Sequence, residues 1–310
     1  MRPFRFGVSV WSADSRAAWV ELARKAEALG YSTFLIPDHL QQIFPPLVPL
    51  VSAADATSTL RVGTFVLNND FRHPVLLARE AAAIDLLSDG RLELGIGAGH
   101  MRSEYEEAGL PFDPAPVRIE RLAEAVQIVK AMLADGIASH AGRHYQVTEH
   151  RVYPAPVQKP RPPILIGGNG PRLLTLAAQE ADIVGFTGLG FPRGATTVDV
   201  TGFAPSSVDQ RVHLVREAAG QRFDQLELNA LVQRLVVTED RRQAADEIVD
   251  RWPDLSVEDV LGSPYLMLGT VDQIVEALQA QRERWGFSYY VVREPMMEAF
   301  APVVARLAGT

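Results

Sequence analysis

Two segments of the chain carry residue types that could take part in chemistry, and the first is Asp38-His39. The pair ends an apolar stretch at 33–37 that has the pattern of a buried strand. Histidine exchanges a proton near neutral pH, and the adjacent carboxylate could bind a ligand or stabilise positive charge. A histidine satisfied by backbone hydrogen bonds would look the same in the sequence. On these two residues alone, that structural role is the simpler interpretation.

The second segment is a glycine turn between an apolar run and a proline that can open a helix. It consists of Gly167, Gly168, Asn169 and Gly170. Glycine lets the backbone come close to a ligand, and free amides at the start of a helix attract anions. The turn could therefore cradle a phosphate. It could equally be a tight connection that holds nothing, and the local pattern leaves both interpretations open.

Other kinds of site are excluded or not expected. The chain has no cysteine, which excludes disulfides, thiolate zinc sites and thiol nucleophiles. His140, His144 and His150 fall in a polar stretch at 137–160, where Gly142 separates the first two. In a hairpin their spacing does not align the side chains as a helix would, so we expect no metal site. The absence of a Gly-x-Ser-x-Gly elbow argues against a Ser-His-Asp hydrolase.

The composition limits the partners of the protein. Its 310 residues carry a formal net charge of −8, with 47% hydrophobic and 22% charged residues, which is an ordinary globular balance. No block of basic residues is present, so nucleic acid is not an expected partner. No apolar run approaches the roughly 18 residues that span a bilayer, and the first residues lack the apolar core of a secretory signal. We expect a cytoplasmic protein that does not bind membranes.

Short apolar runs alternate with segments of helical periodicity along the chain. Trp19, Leu22, Ala23 and Ala26 show the helical spacing, and Gly30 follows them as a left-handed cap. Pro74 could open a helix at its first position, and Thr270 with Gln273 predicts a capping box for the helix before the last strand. The apolar runs predict eight strands, at 4–10, 33–37, 60–66, 91–97, 162–168, 182–186, 226–237 and 287–292. Buried strands alternating with amphipathic helices indicate a parallel sheet covered on both sides, and eight such units close most naturally as a barrel.

We therefore predict an α/β fold, a (β/α)8 TIM barrel that forms a single domain over residues 1–310, with insertions after strands 3 to 6. A doubly wound open sheet is the alternative. Its dinucleotide fingerprint is incomplete, because His100 stands where the third glycine is needed. The stretch 137–160 has the composition of an inserted hairpin and loop, and 195–207 that of a long loop that could act as a lid.

A barrel of this kind carries its active site at the carboxyl ends of the strands, so the residues just after each strand are candidates. Besides the two segments above, they include Trp11, Asn68, Ala98, Gly99, His100, Ser103, Phe186 and Arg293. The convergence of histidine, asparagine, arginine and aromatic side chains on one face suggests a site without defining its chemistry.

The order and spacing of these motifs resemble the luciferase-like monooxygenase superfamily, and most closely its branch that uses the deazaflavin coenzyme F420. The resemblance runs over nearly the whole chain, from 4–8 to 289–293. It implies that His39 meets the reactive face of the coenzyme as a proton donor or acceptor, and that Asp38 binds the ring or its side chain. It also implies a bulge in the third strand with a non-proline cis peptide, which by position is Phe65–Val66.

The resemblance further implies which residues bind the coenzyme, with its phosphate on the glycine turn. The implied set is Asp38, His39, Phe65, Val66, Asn68, Ala98, Gly99, Ser103, Gly167, Gly168, Asn169 and Gly170. Two positions depart from the family: His100 stands where many relatives have Trp or a catalytic Glu, and Ser103 where Asn or Glu is frequent. His100 is the second candidate for proton transfer, after His39. On the substrate side we expect Trp11, Phe186 and Arg293, with Arg293 meeting an anionic group.

The function implied by this resemblance is hydride transfer between F420 and a small organic substrate. The direction is open, with a slight preference for reduction of a C=C or C=N bond over oxidation of an alcohol. An FMN-dependent luciferase-like monooxygenase is the alternative, and a noncatalytic protein that binds flavin or deazaflavin is a second one. Barrels of this family often form dimers, so a homodimer is expected.

Overall fold

The computed structural model describes residues 1–190 and 198–310, and its strands account for a parallel barrel and two small sheets. In chain order the strands are β1 (Arg5–Ser9), β2 (Thr33–Ile36), β3 (Arg61–Thr64), β4 (Leu67–Asn68), β5 (Leu92–Gly97), β6 (Ile137–Ala141), β7 (Gln146–Arg151), β8 (Ile164–Gly167), β9 (Ile183–Phe186), β10 (Glu227–Leu231), β11 (Arg234–Val237), β12 (Leu266–Gly269) and β13 (Phe287–Arg293).

Helices separate most of the barrel strands and cover the outside of the barrel. They are α1 (Arg16–Ala28), α2 (Leu47–Asp55), α3 (Pro74–Leu87), α4 (Arg102–Glu107), α5 (Ala115–Asp135), α6 (Pro171–Glu180), α7 (Pro205–Ala219), α8 (Arg241–Arg251), α9 (Val257–Gly262), α10 (Val271–Trp285) and α11 (Met297–Leu307). None of the helices in the described ranges is long and apolar enough to cross a lipid bilayer.

The predicted (β/α)8 barrel is confirmed. Eight parallel strands, β1, β2, β3, β5, β8, β9, β10 and β13, follow one another around the barrel, and β13 pairs with β1 to close it. Three predicted local signals are also confirmed. Gly30 is left-handed (φ 83°) after α1, Pro74 is the first residue of α3, and Thr270 and Gln273 form the capping box of α10.

The insertions differ in part from the prediction. Additional elements follow the third strand (β4), the fourth (α4, and the β6–β7 hairpin after α5) and the sixth, whereas α6 begins only four residues after β8 ends. An insertion that was not predicted follows the seventh strand. The predicted strand at 226–237 is split, because the N–H of Gln233 donates to Tyr265 O and β11 pairs with β12 outside the barrel.

The proposed lid at 195–207 lies partly outside the described residues. Its first three residues, 195–197, lie outside the ranges that the structure describes. The remainder is not a continuous loop: Thr201–Phe203 forms a 3-10 turn, and Pro205 begins α7.

Side chains of the barrel strands alternate between two cores. Most point outward and pack under the helices. The smaller set, the inner cluster, fills the barrel interior and consists of Leu35, Leu165, Ile183, Tyr289 and Val291. Phe65, Val66 and Leu231 are partly buried against this cluster, so they lie above it toward the carboxyl ends of the strands, which we call the mouth.

A network of four charged side chains closes the opposite, amino end of the barrel. Arg5 lies 2.6 Å from Glu93 and 2.6 Å from Glu227, and Arg61 lies 2.7 Å from Glu93. Burial alone would raise the pKa of Glu93, but the charges of Arg5 and Arg61 outweigh it and lower that pKa below its ordinary value. The amino-end network is therefore held together by ionised groups that come from four different strands.

Candidate active site

The third strand is bulged at the mouth, and the fourth strand makes room for the bulge. The Phe65–Val66 peptide bond is cis, as the family resemblance implied. A Cβ atom on Gly95 would collide with Thr64 O, and one on Gly97 would lie 2.9 Å from Val66 Cγ2. Glycine in β5 is thus what allows the bulge to approach, after which the chain resumes pairing as β4.

Asp38 joins the ends of the second and third strands. Its Oδ2 accepts a hydrogen bond from the backbone N–H of Asn68 at 3.0 Å, and the carboxylate forms an ion pair with Arg72. Asn68 is itself held, because its Oδ1 accepts from Tyr105 Oη at 2.9 Å. Both oxygens of Asp38 therefore have protein partners, and its predicted role as a coenzyme ligand stays a prediction.

His39 is fixed by Glu104, a residue that the sequence analysis did not identify. His39 Nδ1 lies 2.9 Å from Glu104 Oε1, which also accepts from the N–H of Leu40 at 3.1 Å. A carboxylate can only accept, so Nδ1 donates and Nε2 is left to exchange a proton. Glu104 is 3% exposed, whereas the side chain of His39 keeps 22% of its exposure. The pair is a buried acid that orients a histidine open to the mouth.

His100 stands next to His39 at the mouth. The two ring centroids are 5.6 Å apart and the ring planes meet at 88°. Although His100 as a residue is exposed, desolvation of its ring, followed by repulsion from His39 and Arg118, lowers its pKa to about 4. His100 is therefore uncharged at neutral pH, which suits a hydrogen-bond acceptor or a neutral donor better than a cation.

The Ala98–Gly99 turn, which connects β5 to His100, is held in place by Arg118. Gly99 is left-handed (φ 72°), and a Cβ atom there would collide with Tyr105 Oη. Arg118 donates from Nε to Ala98 O at 3.1 Å and from Nη2 to Gly99 O at 3.2 Å. The backbone of Ala98 and Gly99 is thus held in one position, while Ser103 is exposed in the first turn of α4.

The glycine turn is open to solvent at the start of α6. Gly170 is the N-cap of this helix, no side chain caps it, and a Cβ atom on Gly170 would meet nothing within 4 Å. Arg172 is exposed in the first helical turn and adds a positive charge. Asn169 is occupied instead: its Nδ2 donates to Thr187 Oγ1 at 2.8 Å and its Oδ1 accepts from the N–H of Gly188. The N–H of Gly168 donates to Gly185 O, but no side chain caps the start of α6. An uncapped helix start with an exposed guanidinium nearby fits a phosphate.

The three predicted substrate residues differ in how far they are exposed. Trp11 is 45% exposed after β1, and Arg293 is half-buried at the end of β13. The prediction that Phe186 lines the substrate side is wrong. Its side chain is fully buried and packs edge-on against Phe287 in the outer core. Because Ile183 points inward, the alternation of β9 turns Phe186 toward the helices, so it cannot line a substrate pocket.

Comparison with known proteins supports the resemblance. A sequence profile described as luciferase-like monooxygenase matches residues 3–286. The F420-dependent glucose-6-phosphate dehydrogenase of Microbacterium testaceum is 32% identical over 189 residues, which cover 58% of this chain and only about half (55%) of that relative. The 4-hydroxyprotoasukamycin monooxygenase of Streptomyces nodosus subsp. asukaensis is 26% identical over 312 residues, covering 90% of this chain and 79% of the relative.

A solved structure shares the fold. The coenzyme F420-dependent tetrahydromethanopterin reductase from Methanopyrus kandleri superposes with a TM-score of 0.78 over 99% of both chains, at 18% identity. The profile match covers most of the chain, and the barrel, the bulge and the order of the motifs agree with it. The predicted resemblance is confirmed: the chain belongs to the luciferase-like monooxygenase family.

Proposed function

We propose that the protein is an F420-dependent oxidoreductase that transfers a hydride between the deazaflavin and a small organic substrate. The observation that carries this proposal is the His39–Glu104 pair, which presents an oriented imidazole at the mouth of the barrel. Relatives and a structural neighbour whose names include F420 support the choice of coenzyme. Reduction of a C=C or C=N bond is the direction that we favour, with alcohol oxidation as the reverse use of the same groups.

The residues of the mouth would divide the work as follows. The amides at the start of α6 and Arg172 would hold the phosphate, and the bulge at Phe65–Val66 would support one face of a flat ring. A bound deazaflavin supplies hydride chemistry and activates oxygen poorly, because a carbon replaces the ring nitrogen N5. His39 Nε2 would deliver or accept the proton that accompanies the hydride, and Glu104 would keep the ring in that orientation.

An FMN-dependent monooxygenase is the second candidate, and it has support of its own. The relative from Streptomyces that covers most of this chain is named a monooxygenase. Such an enzyme would use the glycine turn in the same way, so the turn does not separate the two coenzymes.

Titration of the apoprotein with oxidised F420 and with FMN, followed by absorbance, tests the proposal. We expect the tighter binding for F420, and oxidation of reduced F420 by members of a panel of enones, imines and ketones. Tighter FMN binding with oxygen consumption would favour the monooxygenase. Tight F420 binding with no hydride transfer to any compound would favour a noncatalytic binding protein.

The role of the glycine turn is tested by two substitutions at Gly170. Its backbone (φ −71°, ψ 145°) suits any residue, so both Gly170→Ala and Gly170→Asp should fold, and aspartate is a good N-cap. Gly170→Asp places a carboxylate where the phosphate would dock and is expected to weaken coenzyme binding roughly 10–100-fold, the worth of a charge-assisted hydrogen bond. Gly170→Ala is the matched control, and equal affinities for the two variants would remove the turn from the coenzyme site.

The role of Glu104 is tested by Glu104→Ala. Freed from its carboxylate, the His39 ring should rotate and populate both neutral tautomers, and turnover should fall on the order of 10²-fold through misplacement of the ring. The ¹⁵N spectrum of the histidine rings measures the tautomer without any substrate. Glu106→Ala, at an exposed position of the same helix, is the control. An unchanged His39 spectrum in Glu104→Ala would show that the carboxylate does not orient the ring.

Four further expectations remain predictions. They are the organisation of residues 1–310 as one domain, the homodimer, the cytoplasmic location and the use of a small-molecule substrate without nucleic acid or membrane partners.

A further inference from the structure

The guanidinium of Arg293 is a charged group of the mouth that the proposed chemistry leaves unused. We propose that Arg293 binds an anionic group of the substrate, such as a carboxylate, so that the enzyme acts on small organic anions. This inference rests on the proposed function, because it names the class of substrate for that same site.

Arg293 has no ion pair among the described residues, unlike several other partly buried arginines. Arg5, Arg61, Arg72, Arg121 and Arg161 each lie within ion-pair distance of an aspartate or glutamate. Arg91 and Arg118 donate hydrogen bonds to several backbone carbonyl oxygens.

Within the described residues, one hydrogen bond is formed by the guanidinium of Arg293. Its Nη2 donates to the neutral amide oxygen of Gln233 at 2.8 Å, and no carboxylate lies within ion-pair distance among the residues that the structure describes. A guanidinium has five N–H donors in a planar fork, which matches the two oxygens of a carboxylate. The remaining donors could therefore bind an anion without displacing a protein partner.

The side chain of Arg293 continues the inner face of the barrel. Tyr289 and Val291 belong to the inner cluster, and the alternation of β13 places Arg293 on the same side, one step closer to the mouth. Its strand neighbour is Ser9 of β1, and Trp11 follows two residues later as an exposed aromatic surface. Arg293 and Trp11 therefore lie at the ends of two neighbouring strands at the mouth.

A chain of hydrogen bonds fixes Arg293 relative to the glycine turn. Gln233, the acceptor for Arg293, donates from Nε2 to Thr187 O at 3.1 Å. Thr187 Oγ1 in turn accepts from Asn169 in the glycine turn. Residues that follow the fifth, sixth and seventh barrel strands therefore position the guanidinium at the end of the eighth. This restricts the place that an anion could take.

Electrostatics favour an anion at this position. Desolvation lowers the pKa of Arg293 below its ordinary value, although a guanidinium stays charged at neutral pH. A desolvated charge without a counter-ion is unfavourable, and an anion that binds there offsets this cost.

The anion could come from the substrate or from the acidic tail of the coenzyme. We favour the substrate, because the glycine turn already provides an open anion site for the coenzyme. In addition, Arg293 flanks β1 on one side while His39 follows β2 on the other. A small molecule held by Arg293 would thus have its reacting atoms near the proton-exchanging histidine.

Calorimetric titration of the F420-loaded protein with cinnamate and with methyl cinnamate tests the proposal. We expect cinnamate to bind more tightly than its ester. Arg293→Gln keeps a polar side chain but removes the charge, so cinnamate binding should weaken roughly 10–100-fold while ester binding is unchanged. Arg293→Lys should restore part of the loss, and Arg151→Gln, at an exposed position of the β6–β7 hairpin, is the control for net charge.

The outcomes separate the inference from the proposed function. Equal binding of acid and ester, or an equal loss of cinnamate affinity in Arg151→Gln, would overturn the substrate anion site. Weaker F420 binding in Arg293→Gln with cinnamate affinity unchanged would overturn it as well, and would assign the guanidinium to the coenzyme tail. Arg293-dependent cinnamate binding without hydride transfer to any compound would support the anion site while rejecting the oxidoreductase reaction with F420.

Discussion

Replacing His39 by asparagine is expected to lower hydride turnover roughly 10²–10⁴-fold, the usual contribution of a general acid or base, while coenzyme affinity is retained. The asparagine amide nitrogen lies near the position of Nδ1, so it can still donate to Glu104. The variant lacks an equivalent of Nε2, which is the nitrogen left free to exchange a proton. This single substitution should therefore impair proton transfer while leaving coenzyme binding intact.

A second substitution at the same position, His39→Gln, tests the orientation of the side chain. His39→Gln carries its amide nearer to the position of Nε2 but cannot match the contact of Nδ1 with Glu104, so it tests orientation rather than the loss of the outer nitrogen. His213→Asn is the control, because His213 is 69% exposed on α7 and pairs with Glu217 of the same helix. Turnover is measured by the absorbance of F420, and affinity by titration with the oxidised coenzyme.

Two results would contradict this assignment. Unchanged turnover in His39→Asn would remove His39 from the mechanism. A small effect in His39→Asn together with a large one in His100→Asn would transfer the proton role to His100, whose low pKa keeps it neutral at working pH. Because the two rings touch, the double variant would then lose no more activity than His100→Asn alone.

The elements that could be predicted from the sequence are those with local signals. Apolar runs bounded by glycine and proline gave the eight barrel strands, and capping residues gave the ends of α1, α3 and α10. The helix α2 was not predicted, because its sequence LVPLVSAAD is apolar on nearly all sides and shows no polar face. The small sheet of β11 and β12 depends on pairing between distant segments, which periodicity does not report.

The same distinction between local and long-range signals applies to the candidate site. Asp38-His39 and the cis peptide at Phe65–Val66 are local motifs, so they could be named from the sequence. Glu104 could not, because it reaches His39 from a helix 65 residues further along the chain. The nearest signal in the sequence is its position directly after the candidate residue Ser103. Phe186 was misassigned because one step along a strand reverses the direction of a side chain.

The second large effect is expected at the opposite end of the barrel, where Glu93→Gln should lower the free energy of unfolding by about 3 kcal/mol or more. Glu93 is 4% exposed and lies between two guanidinium groups, those of Arg5 and Arg61. Within the part of the chain that the structure describes, removing its charge leaves Arg5 with Glu227 and leaves Arg61 without a carboxylate partner. Uncompensated charges in a partly buried network are costly, so the loss should exceed that of a surface ion pair.

The effect should depend on pH in a defined direction. The folded-state pKa of Glu93 is lower than its unfolded value, because Arg5 and Arg61 together outweigh the effect of burial. The stabilisation by Glu93 is therefore complete above the unfolded pKa and is lost as the pH falls through the folded one. We expect the difference in stability between the wild type and Glu93→Gln to be largest at neutral pH and to shrink on acidification.

Denaturant unfolding at a series of pH values measures both expectations. Glu298→Gln is the matched control, because it removes one carboxylate from an ion pair with Lys25 in which Glu298 is 72% exposed, and such pairs contribute about 1 kcal/mol or less. Arg61→Gln should fall between the two, since Glu93 keeps Arg5 as a partner. If Glu93→Gln and Glu298→Gln lost the same stability at neutral pH, the cost of burying these charges would cancel their attraction. The amino-end network would then serve to select the register of the barrel strands rather than to stabilise the fold.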